Sequence, residues 1–221
     1  MDWRVVSIGT LPRHPHWNER GDSRVGHATT SVIKTDGATL LVDPSLPPKL
    51  LESKLDERWG LTLSDISHVF LTSYDPDRRR TLGGLGHAKW LMHEQEILSA
   101  SAAIQSEIER SEEDREVVTI LNTHLELLQN FDATPDKPFA GVDLFPVQGF
   151  TSGGCGLLLP LPQKTVLITG DAVATREHVE RGSVLQNCAD IERAKESFLE
   201  CVEIADVIIP GRDNLVFNSG R

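Results

Sequence analysis

Two short β-prone runs, Ser31 to Thr35 and Thr39 to Val42, are separated only by Ala38 and the pair Asp36-Gly37, and the second ends at Asp43-Pro44. An Asp-Gly pair between such runs predicts a hairpin with a type I′ turn, because both residues readily take the positive φ that this turn needs. A helix is then expected over Pro47 to Trp59, with Pro48 tolerated in its first turn, Leu50, Leu51 and Leu55 on one face, and Gly60 as its stop. Short apolar strands follow at His68 to Thr72 and Lys89 to Met92. Hairpins early, then strands alternating with helices, favour a layered α/β or α+β sandwich over any all-helical fold.

The rest of the chain keeps this alternation. Trp3 to Ser7 reads as a first strand, followed by a polar stretch from Pro12 to Gly26 that contains His14, Pro15 and His16. From Glu94 to Asn130 the pattern is helical, carried by Ile97, Ile104 and Ile108 and then by Val118, Leu121, Leu125 and Leu128. The charged cluster Ser111 to Glu116 splits it in two, with Ser111 as the expected N-cap of the second helix. Val142 to Val147, Gly156 to Leu159 and Val166 to Thr169 are further strands, Asp190 to Ala205 is an amphipathic helix capped by Asp190, and Val207 to Ile209 leads into Pro210-Gly211. No low-complexity linker divides the 221 residues, so a single domain over 1–221 is expected, long enough to bury a full core.

Composition narrows the function classes. Charged residues make up 25% and hydrophobic ones 39%, ordinary for a folded soluble protein, and no run approaches the roughly 18 apolar residues of a membrane span. The N-terminal residues Met1 to Val6 lack an extended apolar region and a small-residue cleavage site, which makes a cytoplasmic location the expectation. Cys155, Cys188 and Cys201 are widely spaced and form no C-x-x-C pair, so they read as buried thiols rather than disulfides or a cysteine zinc site. The net charge of −11 opposes binding to a phosphate backbone or an anionic membrane, and Arg78-Arg79-Arg80 is too short a basic run to reverse that. Neither nucleic acid nor membrane is expected as a partner.

Five segments in order carry a family resemblance: Thr39 to Pro44, Val69 to Arg78, Phe145 to Thr151, Val166 to Asp171 and Ile208 to Arg212. Each is similar to a motif of the metallo-β-lactamase superfamily: a strand ending in D-P or D-T-G, a strand entering T-H-x-H-x-D-H, the P-G-H-T segment, a strand ending in the bridging aspartate, and a terminal P-G-H. Together they cover about residues 25 to 213. The resemblance implies a four-layer αββα sandwich, a hydrolytic dizinc ancestry, and a set of ligand positions that this chain has largely refilled. At the first metal site Ser73, Asp75 and Phe150 stand where the family has histidines. At the second, Asp77 is kept while Arg78 and Arg212 replace histidines, and the bridging aspartate remains as Asp171.

Phenylalanine offers no lone pair, and an always-charged guanidinium repels a cation. Zinc prefers imidazole and thiolate with some carboxylate, so neither site is expected to assemble in the family's way, and no cofactor is expected. Without metal, Asp75, Asp77 and Asp171 would repel one another, and one unpaired buried charge costs roughly 3–5 kcal/mol. Arg78 and Arg212 offer planar forks suited to carboxylates, so they are expected to occupy the volume of the metals; the other reading places both on surface loops. The pocket would comprise Ser73, Asp75, Asp77, Arg78, Phe150, Asp171 and Arg212, with His27 at its mouth as a candidate acid or base.

The resulting expectation is a non-catalytic or altered family member that binds a small polar or anionic ligand, through Arg78, Arg79 and Arg212, or a protein partner. The alternative is a hydrolase of an ester, lactone, thioester or phosphoester, with zinc or another divalent metal held by Asp75, Asp77 and Asp171. Metal-free hydrolysis by a carboxylate base is a third chemical option. The helical stretch Glu94 to Asn130 would cover the pocket or form a homodimer face. His14 and His16 are expected to be solvated, and His68, His87, His93, His124 and His178 structural. Ser152 to Gly156 reads as a tight turn or an anion nest beside Arg212, and Cys155 as inert. G-x-S-x-G and the P-loop pattern are both absent.

Overall fold

The computed structural model describes residues 1–218 and arranges them in two sheets with helices outside both. In the first sheet β1 (Asp2–Ser7), β2 (Thr30–Thr35) and β3 (Ala38–Val42) form an antiparallel meander. Strands β4 (His68–Leu71), β5 (Lys89–Met92) and β6 (Phe131–Ala133) continue it in parallel. The second sheet runs in the order β11-β10-β9-β8-β7, from β7 (Asp143–Pro146), β8 (Cys155–Leu161), β9 (Lys164–Gly170), β10 (Val207–Pro210) and β11 (Val216–Phe217). Its β9 and β10 are parallel, and its other pairs antiparallel. The helices are α1 (Pro48–Trp59), α2 (Glu94–Arg110), α3 (Arg115–Leu128), α4 (Arg176–Arg181) and α5 (Ile191–Ile204).

The layers follow from alternation along the strands, since neighbouring side chains point to opposite faces. Leu40 and Val42 of β3 face inward with Phe70, meeting Leu157, Leu159 and Ile168 of the second sheet. Leu41 between them faces outward with Val69 and Leu71, against Leu51 and Leu55 of α1 and Ile97 and Ile104 of α2. On the far side Leu167 and Ile208 pack against Ala194, Phe198 and Cys201 of α5. Full burial of such a side chain contributes roughly 1.5–3 kcal/mol, so the three apolar layers hold the αββα sandwich together.

Several details differ from the sequence reading. At the β2–β3 turn only Gly37 has positive φ, 89°, and Asp36 does not, so the turn is not type I′. Leu50 is 47% exposed, leaving Leu51 and Leu55 as the buried face of α1. Ser111 closes α2, and the N-cap of α3 is Asp114, whose carboxylate accepts from the amides of Glu116 and Val117. Asp190 caps α5 as expected, accepting from Glu192 and Arg193. The short elements β6, α4 and β11 had no strong periodic signal. Among the described residues, no helix is long and apolar enough to cross a membrane.

The ends of β3, β4, β9 and β10 come together at one rim of the sandwich. There the Cys155 amide donates to the Thr72 carbonyl at 3.0 Å, and the amides of Gly211 and Arg212 donate to Val173 and Ala174 at 3.0 and 2.8 Å. Gly211 is required at this rim, because a Cβ would fall 2.3 Å from Asp171 Oδ1.

Candidate functional site

At the rim, two guanidinium groups lie among four carboxylates. Arg78, fully buried, places Nη1 2.6 Å from Asp43 Oδ2, Nη2 2.6 Å from Asp171 Oδ2 and Nε 3.7 Å from Asp75 Oδ2. Arg212 grips Asp171 with a fork, Nε to Oδ1 at 2.9 Å and Nη2 to Oδ2 at 2.7 Å, while its Nη1 bonds Asp77. Neither arginine points to solvent: Arg212 is 8% exposed and Arg78 not at all. Their Asp171 partner therefore sits between two cations.

Asp43 was not singled out in the sequence as part of this cluster. It follows β3 with φ of 50°, a strained value for a residue other than glycine. In this position its side chain accepts from the Thr72 amide at 2.9 Å and the Thr72 hydroxyl at 2.8 Å as well as from Arg78. The Asp-Pro that ends the strand was the available signal, read there as a strand stop and a family motif but not as a site residue. Ser73 is buried and donates to Asp75 Oδ2 at 2.9 Å, orienting that carboxylate.

Electrostatics divide the carboxylates. Burial alone would raise the Asp171 carboxyl, but Arg212 and Arg78 overcome it and hold the group well below the usual carboxylate range. Burial pushes Asp43 up against the opposing pull of Arg78 and Thr72, and it raises Asp75 likewise, with Asp171 and Asp77 adding like-charge repulsion. For Arg78 the cost of burial is outweighed by Asp171, Asp43 and Asp75, so its charge is held firmly.

Above the cluster opens a cavity of about 570 Å³, lined by Arg212, Asp75, Asp77, Asp171 and Phe150 and closed by Leu11, Pro12, Arg13 and Asp22 from the N-terminal segment. Asp77 Oδ1 is buried there without a hydrogen-bond partner. A second hollow of about 310 Å³ adjoins it across Asp75 and Phe150, walled by Tyr74, Ala100, Ala103 and Ile104. This hollow places α2 beside the pocket.

Other sequence-predicted residues lie elsewhere. His27 is not at the cavity mouth: it bridges to Thr10, and its Nε2 lies 3.0 Å from the Ile8 carbonyl. Arg79 turns away, its guanidinium 4.3 Å from the centre of the Tyr74 ring, and Arg80 donates to the Gly26 carbonyl. Of the two readings of Ser152 to Gly156, the tight turn into β8 holds, and the alternative anion nest is filled from within the chain, since Glu96 accepts from the Gly153 amide at 3.2 Å, the Thr151 hydroxyl and the Tyr74 amide. His14 is buried rather than solvated, 2% exposed and 3.0 Å from Thr175 Oγ1. Cys155 is buried, and burial pushes its thiol up to about 12, so it offers no thiolate at neutral pH.

These residues do not suit a zinc centre. Guanidinium nitrogens lie 2.6–2.9 Å from the Asp171 oxygens that zinc would need, and Phe150 brings no donor. Among the described residues no three His, Cys, Asp or Glu side chains are arranged to hold a metal ion.

Comparison with known proteins places the chain. The family model of the metallo-beta-lactamase superfamily matches residues 23–197. A probable metal-dependent hydrolase from Staphylococcus aureus superimposes with a TM-score of 0.72 at 13% identity, covering 100% of this chain and 94% of that one. A putative metallo-beta-lactamase from Thermotoga maritima gives 0.69 at 17% identity, covering 98% of each chain. AidC, a dizinc quorum-quenching lactonase, gives 0.68 at 14% identity over 90% of this chain and 78% of the other. At these identities the likeness establishes the fold alone. A search of curated proteins returns no match.

Proposed function

This chain belongs to the metallo-β-lactamase superfamily, and from that premise we propose that an arginine–aspartate network stands in its former metal centre and floors a pocket for a small polar ligand. The observation that carries the reading is Arg78, buried between Asp43 and Asp171 with a nitrogen 2.6 Å from each. A guanidinium so placed supplies fixed positive charge where the family's ions would supply it, and it cannot be deprotonated at any accessible pH. No bound hydroxide is then generated, so the pocket binds without the family's hydrolysis.

The charge left facing the cavity favours one ligand chemistry. Arg212 has Nε, Nη1 and Nη2 engaged by Asp171 and Asp77, and Arg79 is committed to Tyr74. Four carboxylates, Asp43, Asp75, Asp77 and Asp171, face only two guanidiniums in the network, so it carries excess negative charge, and on the opposite wall Asp22 stands with Arg13, a cation outside the network. The pocket therefore favours a ligand bearing hydrogen-bond donors or positive charge over the anion suggested by arginine count alone. The adjoining apolar hollow has room for a hydrophobic extension.

The second reading is a metal-dependent hydrolase using Asp75, Asp77 and Asp171, and hydrolases among the structural neighbours favour it. It requires both arginines to leave those carboxylates. Metal content decides between the two: untagged protein purified without chelator is analysed by inductively coupled plasma mass spectrometry before and after loading with Zn²⁺, Mn²⁺ or Mg²⁺ and desalting. The network predicts far less than one metal per chain throughout; one or two retained ions per chain would replace it with the hydrolase reading.

A further inference from the structure

The segment Pro12 to Gly26 has turns but no regular element, yet it closes one side of the cavity. It is anchored against α4 by its own histidines and Trp17. His16 Nε2 lies 3.1 Å from Ser183 Oγ, and the Trp17 indole donates to Glu177 at 2.9 Å. His14 Nε2 meets Thr175 Oγ1, and the same hydroxyl lies 2.8 Å from His178 Nδ1. The three imidazoles are 4.9–5.7 Å apart, centre to centre.

The hydrogen bonds assign the protons. His14 Nδ1 accepts from the His16 amide at 3.2 Å, which makes Nε2 the protonated nitrogen of a neutral ring. A second proton would have to enter at Nδ1, facing an N–H. His178 is fully buried, with Nδ1 on Thr175 and Nε2 lacking any partner. A proton there would place a charge in the interior with no acceptor. His14 Nε2 also lies 3.3 Å from Glu177 Oε2, which favours charge on that ring, but the occupied Nδ1 of His14 and the unpartnered Nε2 of His178 favour neutral rings.

We propose that His14, His16 and His178 form a pH-operated latch: when they are neutral the Pro12–Gly26 segment stays seated on α4, and their protonation releases it and opens the cavity wall. The facing charges do not cancel this. Glu177 and Asp213 favour a charged His14 while Arg24 opposes it; Arg181 and His14 oppose charge on His16 while Glu177 favours it; His16 and His14 oppose charge on His178 while Glu177 and Asp171 favour it. Burial outweighs the favourable partners at each ring, lowering all three, with His178 down to about 4 from 6.5. The seated form thus binds fewer protons than the released form. Seating is complete above about 6.5 and is lost as pH falls from there toward 4. With His178 fully exposed on release, this ring alone raises the release equilibrium by at most roughly 30-fold between pH 7.5 and pH 5.

Hydrogen exchange read by mass spectrometry on the full chain tests this, with rates corrected for intrinsic pH dependence. Protection of peptides spanning 11–27 should fall at least about ten-fold from pH 7.5 to pH 5, while peptides from β3 and β9 keep theirs. Unchanged protection over 11–27, or equal loss in the sheets, would overturn the latch. His16→Gln, a substitution at a half-buried position, should flatten part of the response, and His178→Gln should flatten more. Wild-type pH dependence in both folded variants would also overturn it. If His178→Gln fails to fold, the wild-type profile and His16→Gln decide.

Discussion

Arg78 is the residue on which the electrostatics of the rim turn, paired with both Asp43 and Asp171. Its side chain is fully buried, and a lone guanidinium in such a place would be prohibitively costly. Asp43, Asp75 and Asp171 make the position tolerable, and the arginine in turn keeps those carboxylates from repelling one another. Arg78→Met should destabilise the protein by about 3–5 kcal/mol, because it leaves buried carboxylates short of a counter-charge. Arg78→Lys should recover only part of that, since a single ammonium cannot span Asp43 and Asp171 as a planar fork does. Urea unfolding at pH 7.5 gives both values. A loss below about 1 kcal/mol for the methionine variant, the size seen for exposed pairs, would mean that the cluster contributes little.

The helix caps give smaller and separable effects. Asp190 accepts from two amides at the start of α5, and α5 carries Phe198 and Cys201 onto the second sheet. Asp190→Ala should therefore cost about 0.5–2 kcal/mol, and Asp114→Ala a similar or smaller amount, because α3 buries only Leu128 fully. Thermal unfolding of both variants tests the order. These two caps also show what could be read from sequence. Asp190 stood alone before a clean amphipathic run, whereas the start of α3 lay inside the polar cluster Ser111 to Glu116, where Ser111 was the expected cap and the geometry of the α2–α3 connection instead places Asp114. Strands β2, β3, β9 and β10 were legible because β-branched or apolar runs ended at Gly, Pro or Asp, and β4, β5 and β8 because short apolar runs stood between polar segments; β6 and β11 were not, at three and two residues. At the rim, the pairing of Arg78 and Arg212 with carboxylates could be argued from charge. Asp43 escaped because its role depends on a left-handed backbone, and the histidine cluster escaped because His14 and His178 lie 164 positions apart in sequence yet share Thr175.

The cluster also joins the two halves of the sandwich. Asp43, Asp75, Asp77 and Arg78 follow strands of the first sheet, whereas Asp171 and Arg212 follow strands of the second, so the contacts of Asp171 with Arg78 and of Arg212 with Asp77 cross between sheets. These cross-sheet contacts pair fixed guanidinium charge with carboxylates, whose charge depends on pH. Burial would raise Asp171, but Arg212 and Arg78 lower it below its unfolded value of 3.8. A carboxyl lowered on folding adds stability that is fully present above the unfolded value and is lost as pH falls below it. The stability gap between wild type and Asp171→Asn should therefore hold steady from pH 7 to about 4 and close as pH drops below 3.8. Taking the difference removes the separate acid response of the histidines, provided the sites act independently. Raising NaCl from about 0.1 to 1 M at pH 7 should leave the gap nearly unchanged, because buried pairs are poorly screened. Urea midpoints across this grid check both expectations. A gap that shrinks steadily between pH 7 and 5, or falls by half in salt, would show that the bridge is solvated and that the apolar layers alone hold the sheets together.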